Sequence, residues 1–249
     1  QIGKKNILNR VSGKLDKSMP YIKKSLFTKH SGNKFFGKTN KKKIFFFPHC
    51  YVDNPHRYRS MLFADFYEQS KYILQYSNHN FELFYNPHPN EIETKNDVHK
   101  KMKKMFPKIK ILPKNLIIKH NPYLIITNHG TICHEYAYFN VPVINTGDNP
   151  HINYNFSLNP KNLKQLDDMI FNLDSYIKKI SFDKNSIYEF IYMHYYYFED
   201  TNKKFFKDKY FSKGNLKSHF IKHENFDIFH NQNQKVSNNI AKYFALSKL

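Results

Sequence analysis

Short apolar runs alternate along the chain with segments whose apolar residues recur at helical spacing. The runs are rich in Ile, Phe, Val and Tyr and stop at Pro, Asn or Gly, which is typical of buried strands. They are KKKIFFFP (41–48), NFELFYNP (80–87), KIKILP (108–113), PYLIITNHG (122–130) and VPVINTG (141–147). Amphipathic segments predict helices at 62–77, 91–106, 131–140 and 159–177. This alternation predicts an α/β fold, a doubly wound parallel sheet covered by helices on both faces.

The character of the sequence changes twice along the chain. Residues 1–40 are rich in Lys, Asn, Ser and Gly and have little apolar rhythm, so we expect a linker or the remnant of an upstream acceptor domain. Residues 41–180 carry the alternating pattern and are predicted to form one Rossmann-like domain. Residues 181–249 contain the aromatic stretch SIYEFIYMHYYYF, and the remainder of the segment is rich in polar, aromatic and basic residues. This composition predicts a helical C-terminal extension.

The composition allows a folded core. Of the 249 residues, 40% are hydrophobic and 17% aromatic, while two cysteines provide no disulfide framework, so we expect a cytoplasmic protein. The formal net charge is +20, but the lysines are scattered and no nucleic-acid-binding motif is present, so no nucleic-acid partner is expected. The positive charge is compatible with peripheral association with the inner face of a membrane. Because the chain begins with Gln1, we expect a fragment or a processed chain.

Polar loops follow four of the five predicted strands. Ligands bind beyond the carboxyl ends of the strands in open parallel sheets, so these loops are predicted to gather around one cleft. The predicted lining of the cleft is His49, His56, Asn145, Asp148 and His151. The opposite edge of the sheet is mostly Lys and Pro.

Two of these loops are suited to an anion, most simply a phosphate. Pro87 and Pro89 restrict the backbone on both sides of His88 and hold its imidazole at the end of a strand. In the second loop, Gly130 lets the backbone approach a ligand closely, and Thr131 adds a hydroxyl at the predicted start of a helix. Glu135, one turn further on, can accept hydrogen bonds from two hydroxyls of a ribose or another sugar.

A zinc site and a cysteine nucleophile are the rival predictions for this edge. Cys133, His134 and His129 are close in sequence, and Cys50 adjoins His49, but the chain has neither a CxxC pair nor an HExxH helix. Cys133 is expected to be a small core residue. No metal ligand and no cofactor are therefore predicted.

The segments FELFYNPHPNE and PYLIITNHGTICHEYAYFNVPVINTGDNPH resemble the C-terminal, donor-binding half of GT-B glycosyltransferases of capsule and surface polysaccharide synthesis. IFFFPHCYVDNPH followed by LFADFYE is similar to the first strand, loop and helix of that half. The resemblance covers roughly residues 41–180. Its histidine-proline element is shared with sialyltransferases, Kdo transferases and wall-polymer glycerophosphotransferases, where it contacts the nucleotide phosphate of the donor.

The resemblance implies specific roles for residues of this chain. His88 would contact the donor phosphate, Thr131 would bind the same phosphate through its hydroxyl, and Glu135 would lie level with the ribose or the donor sugar. The predicted donor-binding set is completed by Asn128, His129 and Gly130. The sequence departs from the family pattern in having Asn before Pro-His-Pro and His-Gly-Thr in place of a serine pair, which leaves CMP-, CDP- and UDP-linked sugars open.

We expect the N-terminal, acceptor-binding half of a GT-B enzyme to be missing from this sequence. That half supplies the general base in many such enzymes, and Asp53 is the best carboxylate available on the predicted cleft edge. No Asp-x-Asp motif is present to hold a divalent ion, in agreement with a metal-independent reaction. We therefore expect a glycosyltransferase that takes a nucleotide sugar and a polysaccharide or glycolipid acceptor. The alternatives are a glycerophosphotransferase-like polymerase, a nucleotide-sugar epimerase, or a non-catalytic basic module that binds polyanions.

Overall fold

Five parallel strands form the sheet at the centre of the protein. They are β1 (Lys42–Phe47), β2 (Phe81–Tyr85), β3 (Lys110–Ile111), β4 (Leu124–Thr127) and β5 (Val143–Asn145). Their order across the sheet is β3-β2-β1-β4-β5, and every adjacent pair is parallel. The five strands coincide with the five apolar runs of the sequence. The predicted doubly wound, Rossmann-like α/β fold is confirmed.

The structure is a computed structural model that describes residues 1–14, 27, 40–51, 62–88, 97–112, 122–128 and 130–197. Residues 1–194 form one compact unit and residues 195–249 a second. Almost all described residues belong to the first unit, which extends beyond the predicted 41–180 domain at both ends. Within the described part of the chain, no helix is long and apolar enough to cross a membrane.

Seven α-helices are described. They are α1 (Ile2–Val11), α2 (Phe66–Leu74), α3 (Val98–Met105), α4 (Ile132–Tyr138), α5 (Leu163–Phe171), α6 (Leu173–Ile177) and α7 (Lys184–Ile191). A 3₁₀ turn (Gln75–Asn78) extends α2, and a π-helical segment (Tyr192–Tyr197) follows α7. The C-terminal extension was predicted from residue 181 onward, and its part beyond residue 197 lies outside the described residues.

The two faces of the sheet bury alternate residues of each strand, as the period of a β-strand requires. One face packs Ile44 and Phe46 of β1 into a core with apolar side chains of α2, α3 and α5. On the other face, Phe47 lies 6.0 Å from Tyr136 of α4, measured between ring centroids. Because both faces are covered, Ile44 to Phe47 are all buried, and this explains the unbroken apolar run in the sequence.

Polar side chains set the ends of several helices. The predicted helix at 62–77 begins only at Phe66, because the Asp65 side chain accepts a hydrogen bond from the Glu68 backbone N–H at 2.8 Å and caps the helix. The predicted helix at 159–177 is divided into α5 and α6 at Asn172. The Asn172 backbone leaves helical geometry, and its carbonyl accepts hydrogen bonds from the Ser175 backbone N–H at 3.0 Å and from the Ser175 hydroxyl at 2.8 Å. A side-chain hydrogen bond to the backbone of this kind competes with regular helical structure.

The first helix packs onto the α/β unit, whereas residues 1–40 were expected to be a linker or the remnant of an upstream acceptor domain. Ile7 of α1 is completely buried, and Gly3 lies so close to α7 that a Cβ atom there would come 1.9 Å from the Tyr188 carbonyl oxygen. Periodicity alone gave little sign of this helix because its polar residues include the buried Asn6 and Arg10. Most of residues 15–40 lie outside the described part of the chain.

Candidate functional site

The strand order identifies the edge of the sheet at which a ligand is expected. From β1 the chain moves outward to β2 and β3 on one side, and then returns to place β4 and β5 on the other side. In parallel sheets, such a reversal leaves a crevice beyond the carboxyl ends of the two central strands, here β1 and β4. We call the residues that end or directly follow β1, β2, β4 and β5 the carboxyl edge: 48–51, 86–88, 128 and 130–131, and 145–149.

Two Pro-His dipeptides lie side by side on the carboxyl edge. Phe46 of β1 pairs with Tyr85 of β2, and three residues beyond each of them stand His49 and His88. The two imidazole rings are 5.7 Å apart between centroids at an angle of 66°. Each histidine directly follows a proline, so the backbone that carries it is restricted. The sequence identified both histidines as site residues but did not indicate that they form a pair.

The loop that carries His49 is held by neighbouring groups. The His49 ring lies 4.9 Å from Phe66, the first residue of α2, in an edge-to-face arrangement. Two positions further on, the Tyr51 hydroxyl donates to Ser70 Oγ at 2.6 Å and lies 3.1 Å from the Tyr85 hydroxyl. These contacts tie the end of β1 to α2 and β2, so the position of His49 is set by the fold.

The strands β4 and β5 remain paired beyond their last residues. The backbone N–H of Thr146 donates to the Thr127 carbonyl at 3.0 Å, and that of Gly147 donates to the Asn128 carbonyl at 3.2 Å. The Thr146 hydroxyl also donates to the Thr127 carbonyl at 3.4 Å, and it accepts a hydrogen bond from the Gln69 side chain of α2. The loop after β5 is therefore attached to both β4 and α2.

Gly147 is required by a close approach. A Cβ atom at this position would come 2.0 Å from Asn128 Oδ1 and 2.8 Å from its Cγ. The Asn128 side chain therefore lies directly against the Gly147 backbone, at the end of a central strand. Asn145, at the end of β5, is also buried, and its amide donates to Cys133 Sγ at 3.2 Å.

Gly130 and Thr131 lie on the carboxyl edge at the beginning of α4, where the sequence predicted them. Both are half-buried, and the Gly130 carbonyl accepts from the Cys133 backbone N–H at 3.0 Å. Because β2 and β4 flank β1 in a parallel sheet, Thr131 and His88 belong to the same edge. Asp148 of the β5 loop is half-buried on that edge as well.

Glu135 takes part in an ion pair that the sequence did not indicate. Its Oε1 atom accepts hydrogen bonds from Nε of Arg10, at 2.9 Å, and from Nη2 of the same side chain. Both residues are buried, and the pair joins α4 to α1. Its other oxygen, Oε2, has no hydrogen-bond partner among the described residues. The predicted contact of Glu135 with a sugar hydroxyl stays a prediction, and only Oε2 remains available for it.

His151 lies in the interior, although it was predicted to line the cleft. Only 1% of its surface is exposed, and its ring lies 5.3 Å from Phe190 of α7 and 6.3 Å from His134. An Asx turn explains this position, since Asn149 Oδ1 accepts from the His151 backbone N–H at 3.2 Å and turns the chain inward. Burial, followed by the nearby charge of Arg10, holds the pKa of His134 well below its usual value.

Both cysteines belong to the core of the protein. Cys50 and Cys133 are both buried and unlinked by a disulfide. Burial raises the pKa of Cys133 to about 12, so its thiol stays protonated at neutral pH. Within the described ranges, no group of three or more His, Cys, Asp or Glu side chains is placed to hold a metal ion.

Three predicted site residues lie outside the described residues: Asp53, His56 and His129. Their predicted roles stay predictions.

A separate groove of about 360 Å³ is lined by side chains of α2 together with Phe63, Phe106 and Leu163. None of the predicted site residues lines that groove.

Comparison with known proteins gives a distant structural similarity. No protein-family profile and no curated protein match the chain. Among solved structures, KpsC of Thermosulfurimonas dismutans, a beta Kdo 2,7 transferase, is similar to it with 17% sequence identity and a TM-score of 0.40. The similarity covers 64% of this chain and 50% of that one, so the chain spans half the length of the KpsC structure.

Proposed function

We propose that the carboxyl edge binds a nucleotide-activated sugar and that the protein is a glycosyltransferase of surface or capsular polysaccharide synthesis. The observation that carries the proposal is the pairing of His49 and His88, with rings 5.7 Å apart beyond the carboxyl ends of the neighbouring strands β1 and β2. Two imidazoles on restricted Pro-His backbones offer N–H donors to one anionic group. The donor is a CMP-, CDP- or UDP-linked sugar, and the acceptor is a polysaccharide or a glycolipid.

The chemistry places the greatest demand on the leaving group. An acceptor hydroxyl oxygen attacks the anomeric carbon, the bond from that carbon to the phosphate oxygen breaks, and the electron pair departs with the nucleotide. Hydrogen-bond donors that are already positioned around the developing negative charge lower the barrier, because they do not have to reorient during the reaction. The proposed hydrogen-bond donors are His49, His88 and the Thr131 hydroxyl. The acceptor proton passes to a general base, for which Asp53 is the candidate from the sequence.

The same histidine pair supports a second candidate on this fold. In a glycerophosphotransferase-like polymerase, the acceptor hydroxyl attacks phosphorus rather than a sugar carbon. This reaction also requires groups that donate hydrogen bonds to the phosphates of a CDP-linked substrate. The two reactions differ in their products. Transfer from a nucleotide sugar leaves the phosphate on the nucleotide, whereas transfer from CDP-glycerol releases CMP and moves the second phosphate to the acceptor.

Calorimetric titration with CMP, CDP and UDP tests the proposed site. Replacing His88 or His49 by Ala is expected to weaken nucleotide binding about tenfold or more, since a hydrogen bond to a charged group contributes roughly 1.5–3 kcal/mol. His79→Ala is the matched control, because His79 is exposed and precedes β2 at the opposite edge of the sheet. The His79→Ala variant should bind each nucleotide with the same affinity as the unmodified protein.

Two results would overturn the proposal. One is the absence of binding by any of the three nucleotides to the folded protein. The other is unchanged affinity in folded His49→Ala and His88→Ala variants. A non-catalytic polyanion-binding module would instead bind a heparin-like polymer with steep salt dependence and would show no response to nucleotide.

A further inference from the structure

The side-chain amide of Asn128 is buried at the end of a central strand and makes no hydrogen bond with any residue that the structure describes. Only 1% of the residue is exposed, and neither Oδ1 nor Nδ2 has a hydrogen-bond partner within the described part of the protein. Nearly all buried polar side chains in folded proteins are hydrogen-bonded, so an amide with both ends unpaired calls for a reason. Asn128 directly follows β4, one of the two strands that flank the crevice.

The buried amides of Gln69 and Asn145 donate to other groups, and neither forms a hydrogen bond with Asn128. The Thr146 hydroxyl gives its hydrogen to the Thr127 carbonyl, so the group that the Gln69 side chain directs at Thr146 Oγ1 must be its NH₂. Gln69 Oε1 also has no hydrogen-bond partner among the described residues. Asn145 directs its NH₂ to Cys133, and its Oδ1 atom also lacks a partner among the described residues.

Since no described group pairs with its amide, we expect Asn128 to lower the stability of the protein without ligand. Burying an amide that makes no hydrogen bond is unfavourable, and an apolar side chain would not suffer this loss. Residues kept in unfavourable states cluster at functional sites, where a ligand supplies the missing interactions. The absence of a side chain at Gly147 gives the amide its present room, and its two rotatable bonds allow it to turn toward the carboxyl edge.

We infer that Asn128 is a substrate-reading residue whose amide binds an adjacent hydrogen-bond donor and acceptor on the nucleotide. This inference rests on the proposed function and specifies what the site recognises beyond the phosphate. An Asn amide offers one acceptor oxygen and two N–H donors. Its complement is a group that presents a donor next to an acceptor, as the edge of a pyrimidine base or the two hydroxyls of a ribose does.

The test compares stability with affinity in the same variants. Asn128→Ala is expected to leave the Tm of the ligand-free protein unchanged or raised, and to weaken CMP binding about tenfold or more. Asn149→Ala is the matched control, since Asn149 is a buried asparagine of the same edge whose amide and Oδ1 are both hydrogen-bonded. It should lower the Tm.

The choice of ligand identifies the group that is read. A loss of affinity for CMP but not for ribose 5-phosphate in Asn128→Ala assigns the contact to the base. An equal loss for both assigns the contact to the ribose hydroxyls. Either result supports the inference.

Two results would overturn the inference and leave the proposed function intact. In the first, unmodified protein and Asn128→Ala bind CMP equally well. In the second, Asn128→Ala lowers the Tm as much as Asn149→Ala does, which would show that the amide has a structural role. If the unmodified protein binds no nucleotide at all, the proposed function fails first and the inference fails with it.

Discussion

The guanidinium of Arg10 and the carboxylate of Glu135 form a buried ion pair between residues 125 positions apart, with 2.9 Å between Nε and Oε1. The pair links the first helix of the chain to the helix that follows Gly130 and Thr131. An ion pair in the interior stabilises weakly as a whole, but the removal of one partner leaves the other charge buried and alone. The two residues are therefore expected to tolerate replacement together far better than replacement singly.

Arg10→Ala is expected to reduce the free energy of unfolding by about 3–5 kcal/mol, since it leaves the Glu135 carboxylate buried without its cation. Urea denaturation measures the change. The double variant Arg10→Met, Glu135→Leu should recover most of the loss. Asp97→Ala, which removes an exposed ion pair with Lys100, serves as the control and should leave the urea midpoint nearly unchanged. Equal midpoints for Arg10→Ala and the unmodified protein would contradict the structural role of the pair.

Gly3→Ala is expected to destabilise the protein, whereas glycine-to-alanine changes inside helices ordinarily stabilise. The added Cβ would come 1.9 Å from the Tyr188 carbonyl oxygen, a backbone atom that cannot move aside alone. A loss of about 1–3 kcal/mol is expected from overpacking of this kind. Thermal unfolding measures it, with Lys4→Ala on the exposed side of the same helix as the control. A rise in Tm for Gly3→Ala would show that α1 does not pack against α7.

The stability of the protein is expected to fall on acidification below about pH 6.5 because His134 is buried as the neutral imidazole. Its pKa is well below 6.5 in the folded protein, through burial first and then through the charges of Arg10, His151 and His194. Between the folded and unfolded pKa values, the unfolded chain binds one more proton. The free energy of unfolding therefore rises with pH in that window, by up to about 1.4 kcal/mol per pH unit, and levels off above it.

Urea denaturation of the unmodified protein and of His134→Leu between pH 4.5 and 8 measures this contribution. The difference between the two curves should be flat above the unfolded pKa and should change steadily below it. Parallel curves across the whole range would show that His134 is not the group responsible.

Gly147→Ala and Asn128→Ala are expected to be strongly coupled. The Cβ atom added at Gly147 meets Asn128 Oδ1 at 2.0 Å, so it must displace the amide, and its three nearest contacts are all removed once Asn128 is truncated to Ala. Gly147→Ala should therefore destabilise the unmodified protein and have a much smaller effect in the Asn128→Ala background. Neighbouring residues of this kind show coupling free energies of about 0.5–3 kcal/mol. Additive effects in the double-mutant cycle would contradict the close contact.

The sheet could be predicted from the sequence because each strand has a local pattern. The apolar run from Ile44 to Phe47 and its stop at Pro48 are sufficient to place β1, and the strand ends then identify His49, His88, Asn128 and Thr131 as residues of one edge. Once β1 and β2 are known to be neighbours, the equal spacing of the two Pro-His dipeptides from Phe46 and Tyr85 also predicts the pairing of the imidazoles.

Features that depend on distant contacts could not be predicted in this way. Glu135 has the same local sequence whether it faces a sugar or Arg10, and nothing near Arg10 indicates that it is buried. His151 follows a strand end as His49 does, yet the Asx turn at Asn149 directs it beneath α7. The helix predicted at 159–177 is divided at Asn172, where the backbone is not helical and the carbonyl accepts hydrogen bonds from Ser175, and neither feature alters the apolar periodicity of the segment.

The position of β1 at the middle of the sheet has a consequence for how the protein is made. Its Ile44 pairs with Leu124, about 80 residues further along the chain, so one side of β1 stays open until β4 has been synthesised. At roughly 5–20 residues per second on the ribosome, that interval lasts about 4–16 s. During this time the segment from Ile44 to Phe47 presents unpaired backbone groups and three consecutive phenylalanines, a combination that favours aggregation. The strand that organises the finished sheet is thus the part of the nascent chain that most needs protection by a chaperone.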